Sequence, residues 1–134
     1  MMMAAGFERV FEIGPIFWAE EHNTTKHLNE ATSIDVEVSY ADDRQVMELL
    51  EDLMVSVYHR VAETCQDPLS WLGVDLQVPE KPFPRLAYRD AIHIAARRTG
   101  EPLAFGDDFG APAENALGEE MGVHYFITDW PAAI

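Results

Sequence analysis

The sequence predicts an α+β fold in which an antiparallel sheet is flanked by helices. Two β-rich runs, residues 10–17 and 32–40, bracket a single polar loop. Two further stretches, 43–63 and 88–98, carry apolar residues at helical spacing. Apart from Gly14 and Pro15 in the first run, glycines and prolines fall outside these segments. The length of 134 residues fits one domain, and 48 % hydrophobic residues are enough for a core.

Met1-Met2-Met3-Ala4-Ala5-Gly6 reads as the last turn of a helix stopped by glycine. Val10 to Phe17 is extended, and Pro15, which cannot donate to a ladder, places that part at an edge or bulge. Glu20 to Glu30 is polar and reads as a loop. Thr32 to Tyr40 alternates with period two. Ile34, Val36, Val38 and Tyr40 share one face, while Ser33, Asp35, Glu37 and Ser39 share the other. Asp42 or Asp43 caps a helix reaching about Glu63, along which Val46, Leu49, Leu50, Leu53, Val57 and Val61 fall at helical spacing. Gln66 to Pro84 holds four prolines and reads as an irregular excursion. A second helix, about Tyr88 to Arg98, buries Ala91, Ile92, Ile94 and Ala95 and stops at Gly100, with Arg97 and Arg98 where the dipole favours cations. Gly106-Asp107-Asp108 marks a turn, Pro112 to Met121 a short helix, and His124 to Thr128 a strand ended by Asp129-Trp130-Pro131.

Composition narrows the function classes. Twenty-four acidic against nine basic residues leave a net charge of −15, with Lys26 and Lys81 the only lysines. Such a balance suits a halophilic cytosol, where salt screens self-repulsion. It argues against DNA or other nucleic acid as a partner of this chain alone, because phosphate neutralisation needs clustered Lys and Arg. Residues 101–134 contain neither. With no apolar run near the ~20 residues of a membrane span and no signal pattern, the reading is a soluble, cytoplasmic protein without a membrane partner. Cys65 is the single cysteine, so an internal disulfide and thiolate zinc sites are excluded, and it reads as a small half-buried apolar residue.

Chemistry concentrates at the loop and the second strand. His22 and His27 are five apart in a loop, unlike the i, i+4 pair of a helical zinc site, so no metal site is expected. Lys26 and His27 suit phosphate oxygens, and Glu20 suits an amino group; the same residues also suit a solvated hairpin tip. Ser33, Asp35 and Glu37 on one polar face suit a substrate ammonium or a divalent ion, and equally a solvent-facing strand. Phosphate-binding glycine loops and the G-x-S-x-G elbow are absent.

The run from Phe11 through Phe17-Trp18-Ala19-Glu20-Glu21-His22-Asn23-Thr24-Thr25-Lys26-His27-Leu28-Asn29-Glu30 to Asp35 resembles motif 2 of class II aminoacyl-tRNA synthetases, most closely the archaeal-type aspartyl enzymes. The resemblance continues through Pro82-Phe83-Pro84-Arg85-Leu86, Gly106-Asp107-Asp108 and His124-Tyr125-Phe126-Ile127-Thr128-Asp129-Trp130-Pro131. It implies part of the class II catalytic domain over residues 1–134, with the motif 2 hairpin at 10–40. It further implies ATP and Mg2+ as co-substrates and aspartate and tRNA(Asp) as partners, with a homodimer or pairing with a synthetase chain as the assembly. By the same resemblance Trp18, Ala19, Glu20, Lys26, His27 and Leu28 line the ATP site. Ser33 and Asp35 face the amino group of the amino acid.

Two departures accompany the resemblance. Trp18 stands where the family has an arginine that grips the α-phosphate and the substrate carboxylate, so no residue is assigned as catalytic. Tryptophan offers one neutral N–H in place of a charged fork, and the expectation is that it packs as an apolar residue. Motifs 1 and 3, the magnesium-binding glutamate and the anticodon-binding domain have no counterpart in these residues. The resulting expectation is an aspartate–tRNA ligase in a truncated form that is inactive or incomplete. The alternative is a non-catalytic remnant, or a nucleotide- or protein-binding module derived from a synthetase. The acidic surface predicts a higher thermal midpoint in molar KCl than in dilute buffer; equal midpoints by circular dichroism would contradict it.

Overall fold

A computed structural model describes residues 1–18, 28–132 and 134 of the chain. They form two compact units, Met1–Met47 and Glu48–Ile134.

In the first unit, a 3-10 turn at Met3–Ala5 ends at Gly6, whose φ of 95° is open to glycine and strained for other residues. Strands β1 (Arg9–Phe17) and β2 (Glu30–Val38) pair antiparallel from Arg9 opposite Val38 to Phe17 opposite Glu30. Opposed residues share a face. Phe11, Ile13 and Phe17 therefore stand on the side of Ile34 and Val36, and all five are exposed. The ladder extends one step past each end, with Ser39 N–H donating to Glu8 O at 2.9 Å and Trp18 N–H to Asn29 O at 2.9 Å. The second strand stops at Val38, two residues short of the expected Tyr40, whose φ of 59° breaks the extended backbone.

Helix α1 (Asp43–Thr64) begins with a reciprocal cap. Asp42 Oδ1 accepts from Gln45 N–H at 2.8 Å, while Gln45 Oε1 accepts from Asp42 N–H at 3.0 Å. The sequence 66–84, read as irregular, holds a short helix, α2 (Gln66–Leu72). Pro68 is tolerated there because it occupies the first turn, where backbone N–H groups have no intrahelical partner. The remaining prolines keep 73–84 out of regular structure.

The core of the second unit lies between α3 (Tyr88–Thr99) and α4 (Ala111–Met121). Tyr88, Ala91, Ile92 and Ala95 of α3 meet Ala113 and Leu117 of α4 and Phe109 of the connection, all buried. Strand β3 (Arg85–Ala87) leads directly into α3 and pairs parallel with β4 (Phe126–Thr128), Arg85 opposite Phe126. A parallel pair needs a long crossover, and α3 with α4 supplies it. On the outer faces, Arg97 pairs with Glu120 at 3.3 Å and Arg98 with Glu119 at 3.5 Å.

Glu51 is the buried charged residue of the described core, 3 % exposed on α1. Its Oε1 accepts the Phe83 backbone N–H at 3.1 Å and lies 3.8 Å from Arg85. Beside it Lys81 pairs with Asp52. Replacing Glu51 by Ala leaves the Phe83 N–H buried without an acceptor, which costs about 1–3 kcal/mol. Glu51→Gln retains an acceptor and loses less; urea denaturation of both variants measures the difference.

Two groups shift upward in the folded state. Burial, with help from Glu114, raises the Tyr125 phenol above its ordinary 10.0. The hydrogen bond to Asp52 raises the Lys81 ammonium above 10.5, against a smaller opposing effect of desolvation. Both groups hold their protons more tightly when folded, so their stabilisation is complete below those ordinary values and is lost as pH climbs through the raised ones. Stability therefore falls at alkaline pH, and Tyr125→Phe moves the alkaline unfolding midpoint upward. Fluorescence-monitored unfolding with pH reads both.

Candidate functional site

The residues singled out from sequence fall between Trp18 and Asp35 in the chain. Ala19, Glu20, Lys26 and His27 fall outside the described residues. Trp18, Leu28, Ser33 and Asp35 fall inside them.

Trp18 and Leu28 stand where the two strands leave the ladder, 57 % and 59 % exposed. The expectation that Trp18 packs as an apolar residue is corrected: it lies past the last paired residue of β1, and its indole remains mostly in solvent. Its backbone N–H donates to Asn29 O.

Ser33 and Asp35 are two apart on β2 and so project from the same face. Ser33 Oγ donates to Asp35 Oδ1 at 2.9 Å. The bond fixes one carboxylate oxygen and orients the other. The register adds two residues that sequence reasoning missed. Glu12 lies opposite Asp35, and Gly14 lies opposite Ser33. Alternation in β1 is blurred by Gly14 and Pro15, so only the pairing shows which of its residues share the polar face. A side chain at position 14 would stand over this face, its Cβ 3.8 Å from Glu12 Oε1; glycine keeps the space above Ser33 open.

Glu12, Asp35 and Glu37 give this face three carboxylates and no basic side chain. Opposite charge is what it accommodates, and an ammonium with three divergent N–H donors suits one oriented carboxylate beside a hydroxyl. Among the described residues no three His, Cys, Asp or Glu converge as a metal site.

An antiparallel pair of strands with an oriented Ser–Asp pair on its polar face is the part of the described structure that carries recognisable chemistry. The sequence matches the family of class II tRNA synthetases (D, K and N) over residues 1–134, and the chain belongs to that family. It is 64 % identical over 134 residues to the aspartate–tRNA(Asp/Asn) ligase of Methanoculleus marisnigri, covering 100 % of this chain and 31 % of that one. Against the enzyme of the same name from Archaeoglobus fulgidus it is 59 % identical over 131 residues, 98 % of this chain and 30 % of the relative. The asparaginyl-tRNA synthetase of Pyrococcus horikoshii, solved with asparaginyl-adenylate, superimposes with a TM-score of 0.86 at 30 % identity, over 97 % of this chain and 30 % of that one. The chain thus spans under a third of the length of these relatives. The mixed helix-and-strand architecture is that of class II synthetase catalytic fragments.

Proposed function

We propose that residues 10–40 form the aminoacyl-adenylate hairpin of an aspartate–tRNA ligase. The observation that supports this most directly is the Ser33–Asp35 hydrogen bond on the open polar face. In the proposed reaction the Asp35 carboxylate, held by Ser33, receives the α-ammonium of aspartate, and Glu12 adds negative charge across the ladder. An oxygen of the aspartate α-carboxylate attacks the α-phosphorus of ATP, and pyrophosphate leaves. The terminal ribose hydroxyl of tRNA(Asp) then attacks the aspartyl carbonyl, and AMP leaves. Lys26 and His27 would meet the phosphates, Glu20 the adenine and the acceptor end, and Trp18, Ala19 and Leu28 the surface beneath the base. Magnesium would accompany ATP as it does across the family.

Trp18 favours a second reading, a nucleotide-binding module that has lost the chemistry. Arginine at this place would present a charged fork to the charge that grows on the α-phosphate. Removing one such donor costs about 10²–10³ in rate, or ~2.7–4 kcal/mol. We place the chain in the cytoplasm, adapted to high salt and acting with a second copy or a synthetase chain.

A thermal melt in molar KCl with a non-hydrolysable aspartyl-adenylate analogue tests the site. The midpoint rises with ligand, because a ligand bound only to the folded state stabilises it. Asp35→Asn reduces the rise. Trp18→Arg strengthens ATP binding and leaves aspartate-dependent pyrophosphate exchange undetectable. No shift with the analogue would defeat the site assignment, and exchange restored by Trp18→Arg alone would show that the tryptophan is what limits the reaction.

A further inference from the structure

The second unit holds an open cleft of about 780 Å³ remote in sequence from the hairpin. Its one wall is the irregular segment 77–84, a second is Tyr58 of α1, and a third is the last turn of α4 with Gly118 and Gly122, continuing to His124. This is a prepared surface. The Phe83 N–H is bound to buried Glu51, the Pro84 carbonyl accepts from Phe126 N–H at 2.9 Å, and Lys81 is tied to Asp52. Tyr58 Oη and His124 Nε2 are 2.9 Å apart, and the Phe83 ring lies tilted on His124 with centroids 5.5 Å apart. Aromatic faces therefore line a groove whose backbone is already anchored, so a ligand pays little to order it.

With Lys81 paired to Asp52, the charge of the cleft leans negative. Lys81 is the only basic side chain among its lining residues, and Asp52 neutralises it. Glu80 also lines it. The α4 wall is the carbonyl end of a helix, where aligned peptide dipoles leave partial negative charge, and its last turn contains no basic residue. Residues 101–134, which supply that wall and His124, contain no Lys or Arg. Glu119 and Glu120 are already answered by the arginines of α3, so the bias comes from the helix end and Glu80.

We infer that this cleft is a docking site for an arginine or lysine side chain of a partner polypeptide. The apolar stem would lie against Tyr58, Phe83 and the prolines, and the cationic head would meet the carbonyl end of α4. An elongated side chain with an apolar stem and a cationic head matches both qualities of the groove, and aromatic faces add cation–π attraction.

The test uses the intact chain and two probes, Nα-acetyl-arginine methylamide and its uncharged norleucine counterpart. Both are titrated by NMR in about 1 M KCl, where a Debye length of ~3 Å suppresses diffuse attraction to the acidic surface. Arginine shifts the Val123 and His124 signals saturably, and norleucine binds at least about tenfold more weakly, a difference of ~1.4 kcal/mol. Gly118→Leu serves as the blocking variant. A Cβ at position 118 meets nothing within 4 Å, and leucine suits a helix better than glycine, so the fold is retained while the groove fills. That variant loses the arginine response. Equal binding of norleucine, an undiminished response in Gly118→Leu, or no saturable shift would each overturn the inference. None of these outcomes bears on the hairpin, whose ligand is read separately by the adenylate analogue.

Discussion

Tyr88 is the residue on which the second unit depends. Its side chain is fully buried at the junction where β3 becomes α3. The ring meets Phe105, Phe109 and Trp130 at centroid distances of 5.1–5.4 Å, so the turn before α4 and the segment after β4 close on one aromatic group. Its hydroxyl donates to Asp107 O at 2.7 Å and accepts from Gly106 N–H at 3.0 Å. Burying a phenol is tolerable only when its oxygen is satisfied, and here the satisfaction fixes a turn. Gly106, at φ 104°, is the position in that turn where a side chain would be strained.

The hairpin obeys a different constraint. A two-stranded sheet has no second layer of its own, so its register alone decides which residues meet. Pairing Asp35 with Glu12 and Ser33 with Gly14 collects carboxylates on one side, while Phe11, Ile13, Ile34 and Val36 collect on the other. A slip by one residue would exchange the two sets. Ser33 and Asp35, two apart on one strand, share a face in any register; what this register adds is Glu12 across from Asp35 and Gly14 across from Ser33.

Much of this was legible in the residues. Period-two alternation from Thr32 showed the polar face, and the spacing of Ala91, Ile92 and Ala95 showed the buried side of α3. Gly100, read as the stop of that helix, takes φ 74° and donates its N–H to Ala96 O. Three things were not legible. The parallel pairing of β3 with β4 involves three residues on each strand, too few to establish a period, and it is decided by the distant packing of α3 on α4. Glu51 sits within an acidic, amphipathic stretch and looks solvated until Phe83 N–H and Arg85 arrive from more than 30 residues away. Trp18 reads as core by its chemistry and stands in solvent because the ladder ends beneath it. In the first two cases a contact distant in sequence outweighed a local preference.

The charge of the chain and the proposed ligand of the hairpin pull against each other. A nucleotide triphosphate approaching a molecule of net charge −15 is repelled at long range, and at ordinary ionic strength that field extends about 8 Å. Lys26 is the one lysine or arginine between Arg9 and Arg44, so under the proposed function attraction to phosphate in that stretch of sequence rests on a single permanent charge. Molar salt changes the balance unequally. It contracts the screening length to ~3 Å, which removes the repulsion of the distant carboxylates but spares contacts made at hydrogen-bond distance. An acidic surface that is a liability in dilute buffer therefore becomes nearly neutral to an anionic substrate in brine. Under the proposed function, salt promotes nucleotide binding up to the point at which the Lys26–phosphate contact is itself screened, and the composition of the whole chain sets the conditions under which its hairpin works.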